Sequence, residues 1–279
     1  MERRCRAAPS RGGNLRLAVS CRPPGHGILR VVTTEPFSDP SHDHGLDGSR
    51  GGARPRVVAI DGPSSSGKST VGAEAAKRLR FRFCDTGLLY RAVAWLALER
   101  GVAPTDVAGL VPLADEVTLV ADSDGRLRHV RAVGRDVTVE VAGAAVDRAV
   151  SDYSKVPELR TALVTRQRTL ADRGGIIMVG RDIGTVILPD ADVKIYLNAS
   201  AEERARRRAI QRGTTGEQEA DRILQELRRR DSIDSTREIA PLRAAPDAVV
   251  IDTDALSFEE TVEAVIQAVA AAPGGPHGA

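Results

Sequence analysis

Several residue types are scarce in this 279-residue chain, and what is missing excludes several classes of protein. The 3 cysteines, Cys5, Cys21 and Cys84, lack the spacing of metal ligands, which argues against a zinc module and a disulfide-stabilised secreted domain. No apolar run approaches the roughly 18 residues of a membrane span. Aromatic residues make up 3% of the chain, but 42% is hydrophobic and 28% charged, as in ordinary globular proteins. We therefore expect a reduced, cytoplasmic protein.

The charge distribution gives no sign of a polyanionic partner. Lys and Arg total 40 against 38 acidic residues, a net charge of +2. Residues 1–56 hold ten arginines and five acids, so the remainder of the chain carries −3. A mildly acidic body is not expected to bind nucleic acid. Neither a nucleic acid nor a membrane is predicted as a partner.

Composition divides the chain into three segments. Residues 1–54 are rich in Gly, Pro, Ser and Arg without periodicity, and such a stretch buries too little apolar surface to offset the entropy of ordering it. We predict that it is disordered, and we favour a dispensable tail or a start codon assigned too early over a targeting peptide. Residues 55–272 are predicted to fold as one domain, and residues 273–279 to form a flexible tail.

The hydrophobic pattern of the domain alternates between strands and helices. Strands are predicted at residues 57–60, 81–84, 175–179, 193–197 and 249–251, with helices between them. This alternation is typical of an α/β fold, with a parallel sheet flanked by helices and ligands at the C-terminal ends of its strands. Between residues 117 and 139 the pattern instead predicts a small antiparallel sheet, with strands at 117–121, 127–133 and 137–139. We expect a helix from residue 215 to residue 230, capped by Thr215 and Gln218, and a capping box formed by Ser257 and Glu260.

A glycine-rich loop follows the first predicted strand and opens a helix. Residues 62–69 match G-x-x-x-x-G-K-[ST], the signature of a loop that cradles nucleoside triphosphate. Gly62 and Gly67 allow successive backbone N–H groups to point inward at a helix N-terminus. Lys68 can reach the β- and γ-phosphates, and the Ser69 hydroxyl can ligate Mg²⁺. The predicted nucleotide-binding residues are Gly62, Pro63, Ser64, Ser65, Ser66, Gly67, Lys68, Ser69 and Thr70.

The loop by itself fits a GTPase, a mechanical or nucleic-acid ATPase, or a small-molecule kinase. The chain has no Asn-Lys pair for guanine recognition, and the apolar strand at 175–179 runs into Gly180-Arg181 rather than into an acidic residue. Arginines at strand and helix ends suit phosphoryl transfer, because the planar guanidinium binds phosphate oxygens bidentately while charge spreads over them. These features favour a kinase whose acceptor is itself a phosphate.

Five motifs together resemble those of bacterial cytidylate kinases. They are residues 62–70, residues 85–87 with Tyr90 and Arg91, residues 180–185, residues 189–194, and Arg230-Asp231 followed by Asp234 and Arg237. They occur in that family's order and spacing from about residue 57 to about residue 269. The resemblance implies a three-layer P-loop kinase core with a monophosphate-binding insert at 113–152 and a lid at 205–222. It also implies ATP- and Mg²⁺-dependent phosphorylation of CMP and dCMP in pyrimidine nucleotide metabolism, by a monomer.

The resemblance also implies roles for individual residues. Ser151, Arg160 and Asp182 would read the cytosine ring, and Asp234 would hold the ribose. Arg237 would meet the transferring group and would be catalytic together with Lys68 and Arg181. The residues implied at the acceptor phosphate are Ser64, Thr86, Arg91, Arg181 and Arg230, and Tyr90 completes the substrate site. Thr86 stands where the family commonly has Ser, and the hydroxyl is kept.

Other interpretations of these residues remain open at the level of sequence. Taken alone, Arg160 would be a residue of a solvated helix face, and Asp234 with Arg237 a surface ion pair. The arginines in residues 204–208 would form a partly solvated face. The protein could also phosphorylate UMP or a non-nucleotide alcohol, or bind ATP as a regulator without transferring phosphate.

Overall fold

The computed structural model describes residues 15–17, 56–214 and 216–272. In chain order its elements are β1 (Leu15–Leu17), β2 (Val57–Asp61), α1 (Lys68–Leu79), β3 (Arg82–Asp85), α2 (Gly87–Arg100), α3 (Val107–Leu110), β4 (Val117–Ala121), β5 (Arg126–Ala132), β6 (Arg135–Asp136), α4 (Ala144–Ser154), α5 (Pro157–Ala171), β7 (Ile176–Gly180), β8 (Val193–Asn198), α6 (Ala201–Arg212), α7 (Glu217–Thr236), β9 (Val249–Asp252) and α8 (Phe258–Ala271). Two 3₁₀ turns (Val111–Glu116 and Glu140–Ala142) and one π turn (Ile183–Ile187) complete it.

The strands form one sheet in the order β1-β9-β8-β2-β7-β3-β5-β4, with β6 paired to β5. From β1 to β5 every neighbouring pair is parallel. Helices α1 and α8 cover one face of this sheet and α2 and α5 the other. The three-layer α/β fold predicted from the alternating pattern is confirmed, and the core strands lie within two residues of their predicted positions.

Strand β2 lies at the centre of the sheet because both of its faces are apolar. Val58 and Ile60 pack against the layer of α1 and α8, and Val57 and Ala59 face the opposite layer. All five residues of the strand are buried, as expected for a parallel strand covered by helices on both sides. The strand therefore delivers the glycine-rich loop to the middle of the sheet's C-terminal edge.

The antiparallel insert is continuous with the main sheet, since β5 pairs with β3 in parallel and with β4 in antiparallel orientation. The predicted strand at 137–139 is wrong, because the third strand is Arg135–Asp136. Side chains take over the backbone hydrogen bonds at this point. Asp136 accepts the N–H of Thr138, and the Thr138 hydroxyl oxygen accepts the N–H of Val130. Such local bonds compete with a strand ladder.

Helix α7 runs six residues beyond the predicted end at Arg230. Polar residues such as Asp231, Ser232 and Asp234 favour helix ends in sequence, but here tertiary contacts of Asp231 and Asp234 keep the helix intact. Gly216 caps the helix, and the predicted cap Thr215 lies outside the described residues. The predicted capping box of Ser257 and Glu260 is confirmed.

Three residues of the N-terminal extension have defined secondary structure. Leu15–Leu17 pair in parallel with Val249, Val250 and Ile251 of β9. The prediction of disorder is wrong for these three residues, and the other residues of the extension lie outside the described parts of the chain, as does the tail at 273–279. None of the described helices combines the length and hydropathy of a bilayer span.

The position of β1 predicts how far the extension can be removed. A chain that begins at residue 55 should fold, with a melting temperature no more than about 10 °C below that of the full chain, because a three-residue edge strand adds only a few hydrogen bonds of about 1 kcal/mol each. Calorimetry of both chains measures this. A truncated chain that does not fold would show that the extension is part of the domain.

Candidate active site

A cleft of about 530 Å³ opens at the C-terminal ends of β2, β3 and β7. Parallel strands bring the residues that follow them to one edge of a sheet, and six separate stretches of sequence meet here. The predicted site residues that line the cleft are Ser64, Ser65, Gly67, Lys68, Ser69, Thr70, Thr86, Tyr90, Arg91, Arg160, Arg181, Asp182, Arg230, Asp234 and Arg237. Of the sequence-predicted substrate residues, only Ser151 is missing from this lining.

The glycine-rich loop depends on its two signature glycines. A Cβ on Gly62 would stand 2.4 Å from the carbonyl oxygen of Leu197, so only glycine lets β8 approach. Gly67 has φ of 89°, in the left-handed region that favours glycine, and it caps α1. The loop therefore leads directly into a helix N-terminus, where free N–H groups bind anions.

Lys68 and Ser69 stand at the start of α1 with polar partners that a nucleotide can replace. The Lys68 ammonium donates to the carbonyl oxygen of Pro63 at 2.8 Å. Burial and the neighbouring Arg181 hold the pKa of Lys68 well below its usual value. The Ser69 hydroxyl donates to Asp85 at 2.6 Å. Hydroxyl and carboxylate oxygens are the ligands that Mg²⁺ prefers, so this pair fits the cation.

Two arginines converge on Asp234 beside the loop. Arg181 donates to the Asp234 carboxylate at 2.9 Å and to the carbonyl oxygen of Gly62 at 3.2 Å. Burial opposes ionisation of Asp234, yet Arg181 and Arg230 hold its pKa below the usual value. The buried Nε of Arg230 has no hydrogen-bond partner among the residues that the structure describes. Burial and Arg181 lower the pKa of Arg230 to about 10. The interpretation of Asp234 as part of a surface pair with Arg237 is wrong, because the side chain is buried and pairs with Arg181.

Arg91 and Thr86 are both engaged by protein groups. Arg91 forms an ion pair with Asp147 and donates to the carbonyl oxygen of Val141 at 3.0 Å. Arg208 of α6 binds the same carboxylate, so Asp147 joins the insert to α6. The Thr86 hydroxyl is buried and donates to the carbonyl oxygen of Val179 at 2.9 Å.

The predicted base-reading residues Arg160 and Asp182 form a buried ion pair, with side chains only 4% and 6% exposed. The Arg160 guanidinium also lies 5.3 Å from the centroid of the Tyr90 ring, a cation–π distance. The solvated-face interpretation of Arg160 is therefore wrong. Arg237 lies 3.6 Å from Asp182, at this end of the cleft.

Ser151 is buried on α4 and lines a second cavity, of about 570 Å³. That cavity shares Ser64, Arg208 and Arg230 with the cleft. The structure thus brings Arg160 and Asp182 together but leaves Ser151 on the neighbouring wall.

Two residues that bind loops of the site were given no role in it by the sequence. Arg204 is 4% exposed, donates to the Ser64 carbonyl oxygen at 3.2 Å and pairs with Asp231 at 2.5 Å. The expectation that it belongs to a solvated face is wrong, because α7 covers it. Asp61 is buried at the end of β2, and its pKa rises to about 7 because burial outweighs two backbone N–H bonds. An acidic residue ending an otherwise apolar strand was the available signal for Asp61.

Fold and site together define a P-loop phosphotransferase, with a nucleotide loop at the central strand and a ring of arginines facing it. A family model described as cytidylate kinase matches residues 58–271. The chain belongs to the cytidylate kinase family.

Individual relatives agree with the family match. A cytidylate kinase of Geobacillus kaustophilus is 46% identical over 213 residues, which cover 76% of this chain and 95% of that protein. One of Nocardia farcinica is 45% identical, covering 77% of this chain and 94% of that protein. Among solved structures, a shikimate kinase of Acinetobacter baumannii covers 77% of this chain and 93% of its own, at 15% identity and a TM-score of 0.38. The assignment to the cytidylate kinase family depends on the sequence matches and not on the structural likeness.

The electrostatics of the cleft predict that Arg230 lowers the stability of the ligand-free protein. Arg230→Met should raise the melting temperature of the ligand-free protein by a few degrees, since it removes a desolvated cation that Arg181 repels. The exposed neighbour Arg229 provides the control, and Arg229→Met should leave the melting temperature nearly unchanged. A lower melting temperature for Arg230→Met would mean that the cation is fully compensated.

Proposed function

We propose that the protein transfers the γ-phosphoryl group of ATP to CMP and dCMP, forming CDP and dCDP. The observation that carries this proposal is one cleft that contains both a triphosphate loop and a buried Arg160–Asp182 pair, in a chain of the cytidylate kinase family. Its relatives in Geobacillus kaustophilus and Nocardia farcinica are also cytidylate kinases. We expect a cytoplasmic monomer.

The glycine-rich loop binds ATP, the phosphoryl donor. Its N–H groups and Lys68 bind the ATP phosphates. Ser69 would hold Mg²⁺, with Asp85 beside it, and the cation would neutralise charge between the β- and γ-phosphates. Lys68 is charged most easily when phosphate is present, because an anion offsets the burial and the nearby Arg181 that lower its pKa.

The transfer itself is an in-line displacement. An oxygen of the CMP phosphate bonds to the γ-phosphorus while the bond from that phosphorus to the β,γ-bridging oxygen breaks, and ADP keeps the electron pair. No general base is needed, since the nucleophile is already an anion. Lys68, Arg181 and Arg230 stabilise the charge on the moving group and on the acceptor phosphate. Arg91 and the hydroxyls of Ser64 and Thr86 orient the acceptor. Residues 205–222 act as the lid that excludes water.

The acceptor base is read at the opposite end of the cleft. Asp182 accepts from the cytosine amino group, while Arg160 and Ser151 donate to the ring nitrogen and carbonyl oxygen. Arg237 was expected to meet the transferring group, but it lies 3.6 Å from Asp182, and its charge interacts most strongly with Arg160, then with Asp182 and Asp234. We therefore assign Arg237 to base recognition and Asp234 to ribose contact. A base-reading site of this kind rejects a wrong base because polar groups would remain buried and unpaired.

An acceptor panel tests the proposal. ADP production from ATP and Mg²⁺ should require CMP or dCMP, and UMP, AMP, GMP and an acceptor-free sample should give little. Lys68→Ala is the control for background ADP production. It should abolish turnover but change the affinity for CMP much less, because the ammonium acts at the donor phosphates. Equal ADP production without an acceptor would identify an ATPase, and ATP binding without any turnover would identify a regulator.

Base recognition makes a separate prediction at Asp182. Asp182→Ala should reduce the ratio of kcat/KM for CMP over UMP by a factor of about 10² or more, because the variant no longer accepts from the cytosine amino group. Asp190→Ala, an exposed change downstream of the same loop, should keep the ratio. A loss of rate that is equal for CMP and UMP would argue against base reading by Asp182.

A further inference from the structure

We propose that Asp61 is a positioning residue, which holds the backbone of the loop after β7 so that Arg181 and Asp182 point into the cleft. The proposal rests on the proposed function, since it concerns the binding of the acceptor nucleotide. Asp61 itself is not among the residues that line the cleft, and it acts through the backbone of residues 183 and 184.

The contact uses both oxygens of one carboxylate. Oδ1 of Asp61 accepts the N–H of Ile183 at 2.7 Å, and Oδ2 accepts the N–H of Gly184 at 2.8 Å. The Asp61 side chain is 3% exposed. A buried carboxylate is costly unless it is hydrogen-bonded, and here the hydrogen bonds come from the backbone of a different strand's loop. The pair of bonds fixes two consecutive peptide groups at once.

The residues held in this way directly follow the predicted substrate residues. Arg181 and Asp182 precede Ile183 without any intervening residue, and the backbone at Asp182 leaves the strand conformation with φ −145° and ψ 27°. Beyond Gly180 the parallel ladder between β2 and β7 ends. After that point, the hydrogen bonds from Ile183 and Gly184 to the Asp61 carboxylate connect the ends of the two strands.

A second hydrogen bond joins the same two loops, with the donor now on the side chain of the loop after β7. Arg181 donates to the carbonyl oxygen of Gly62, the residue that follows Asp61. The donor loop after β2 and the acceptor loop after β7 are thus tied together at adjacent residues. Asp61 therefore sets the distance between the site that binds ATP and the arginine and aspartate that bind CMP.

The charges around Asp61 allow it to act as a carboxylate in an assay at pH 8. Burial and, to a smaller extent, Asp182 on the loop after β7 raise the pKa of Asp61, while the N–H groups of Gly184 and Ile183 and the charge of Lys68 on α1 lower it. Tyr196 on β8 and Lys194 also lie near it. The resulting pKa of about 7 leaves the group ionised at pH 8.

Asp61→Asn separates this role from general stability. An amide can accept only one of the two N–H groups and presents its NH₂ to the other. At pH 8 the KM for CMP should rise by about tenfold or more and discrimination against UMP should weaken, whereas the KM for ATP should change by less than about threefold. The control is Asp122→Asn, since Asp122 accepts two backbone N–H groups in the β4–β5 hairpin through one oxygen, which an amide retains. It should leave all three values unchanged.

Two outcomes would overturn the proposal. One is an Asp61→Asn enzyme with unchanged KM for CMP, and the other is an equal rise of KM for CMP and ATP. If the variant does not fold, hydrogen exchange of the wild-type protein decides, because the amides of Ile183 and Gly184 should be as protected as those of β7. Fast exchange at both would refute the contact. A wild-type protein that does not phosphorylate CMP would refute the proposed function instead, and the exchange result would still report on Asp61.

Discussion

The structure depends on holding several cations close together at the edge of one sheet. Lys68, Arg181 and Arg230 are partly or fully removed from water, and each lies in the field of another. Like charges in such a place repel and lose hydration, which is why the pKa values of Lys68 and Arg230 fall. Asp234 offsets part of this repulsion through its bond to Arg181. The remaining unbalanced positive charge favours the phosphates of two nucleotides.

Different carboxylates around the cleft bind different cationic side chains. Asp234 orients Arg181, Asp182 orients Arg160, and Asp147 joins Arg91 of α2 to Arg208 of α6. Within the described part of the chain, Asp61 makes no ion pair of this kind and binds backbone instead. Each of these carboxylates thus connects a different pair of structural elements. The removal of one carboxylate is therefore expected to affect one part of the cleft rather than the whole fold.

In the proposed function, the arrangement separates the chemistry of transfer from the recognition of the base. Lys68 and Ser69 lie at the start of α1, next to the loop. Arg160, Asp182 and Arg237 form a buried group with Tyr90 beside it. In that function the acceptor nucleotide extends from one group to the other, so a short segment, residues 180–184, would contribute to both ends. The backbone control that we propose for Asp61 would then affect both ends.

The sequence by itself determined the glycine-rich loop, the alternation of strands and helices and most of the residues that line the cleft. These features depend on local chemistry: apolar β-branched strands, glycines at positions that a side chain would block, and spacing that resembles a known family. Only the tertiary structure decided that Arg204 is buried, that Arg237 stands beside Asp182, that α7 continues to Thr236 and that Asp61 binds the loop after β7. Each of these depends on contacts between residues far apart in the chain, since burial and ion pairing are set by what packs against a side chain and are not encoded in its neighbours along the sequence.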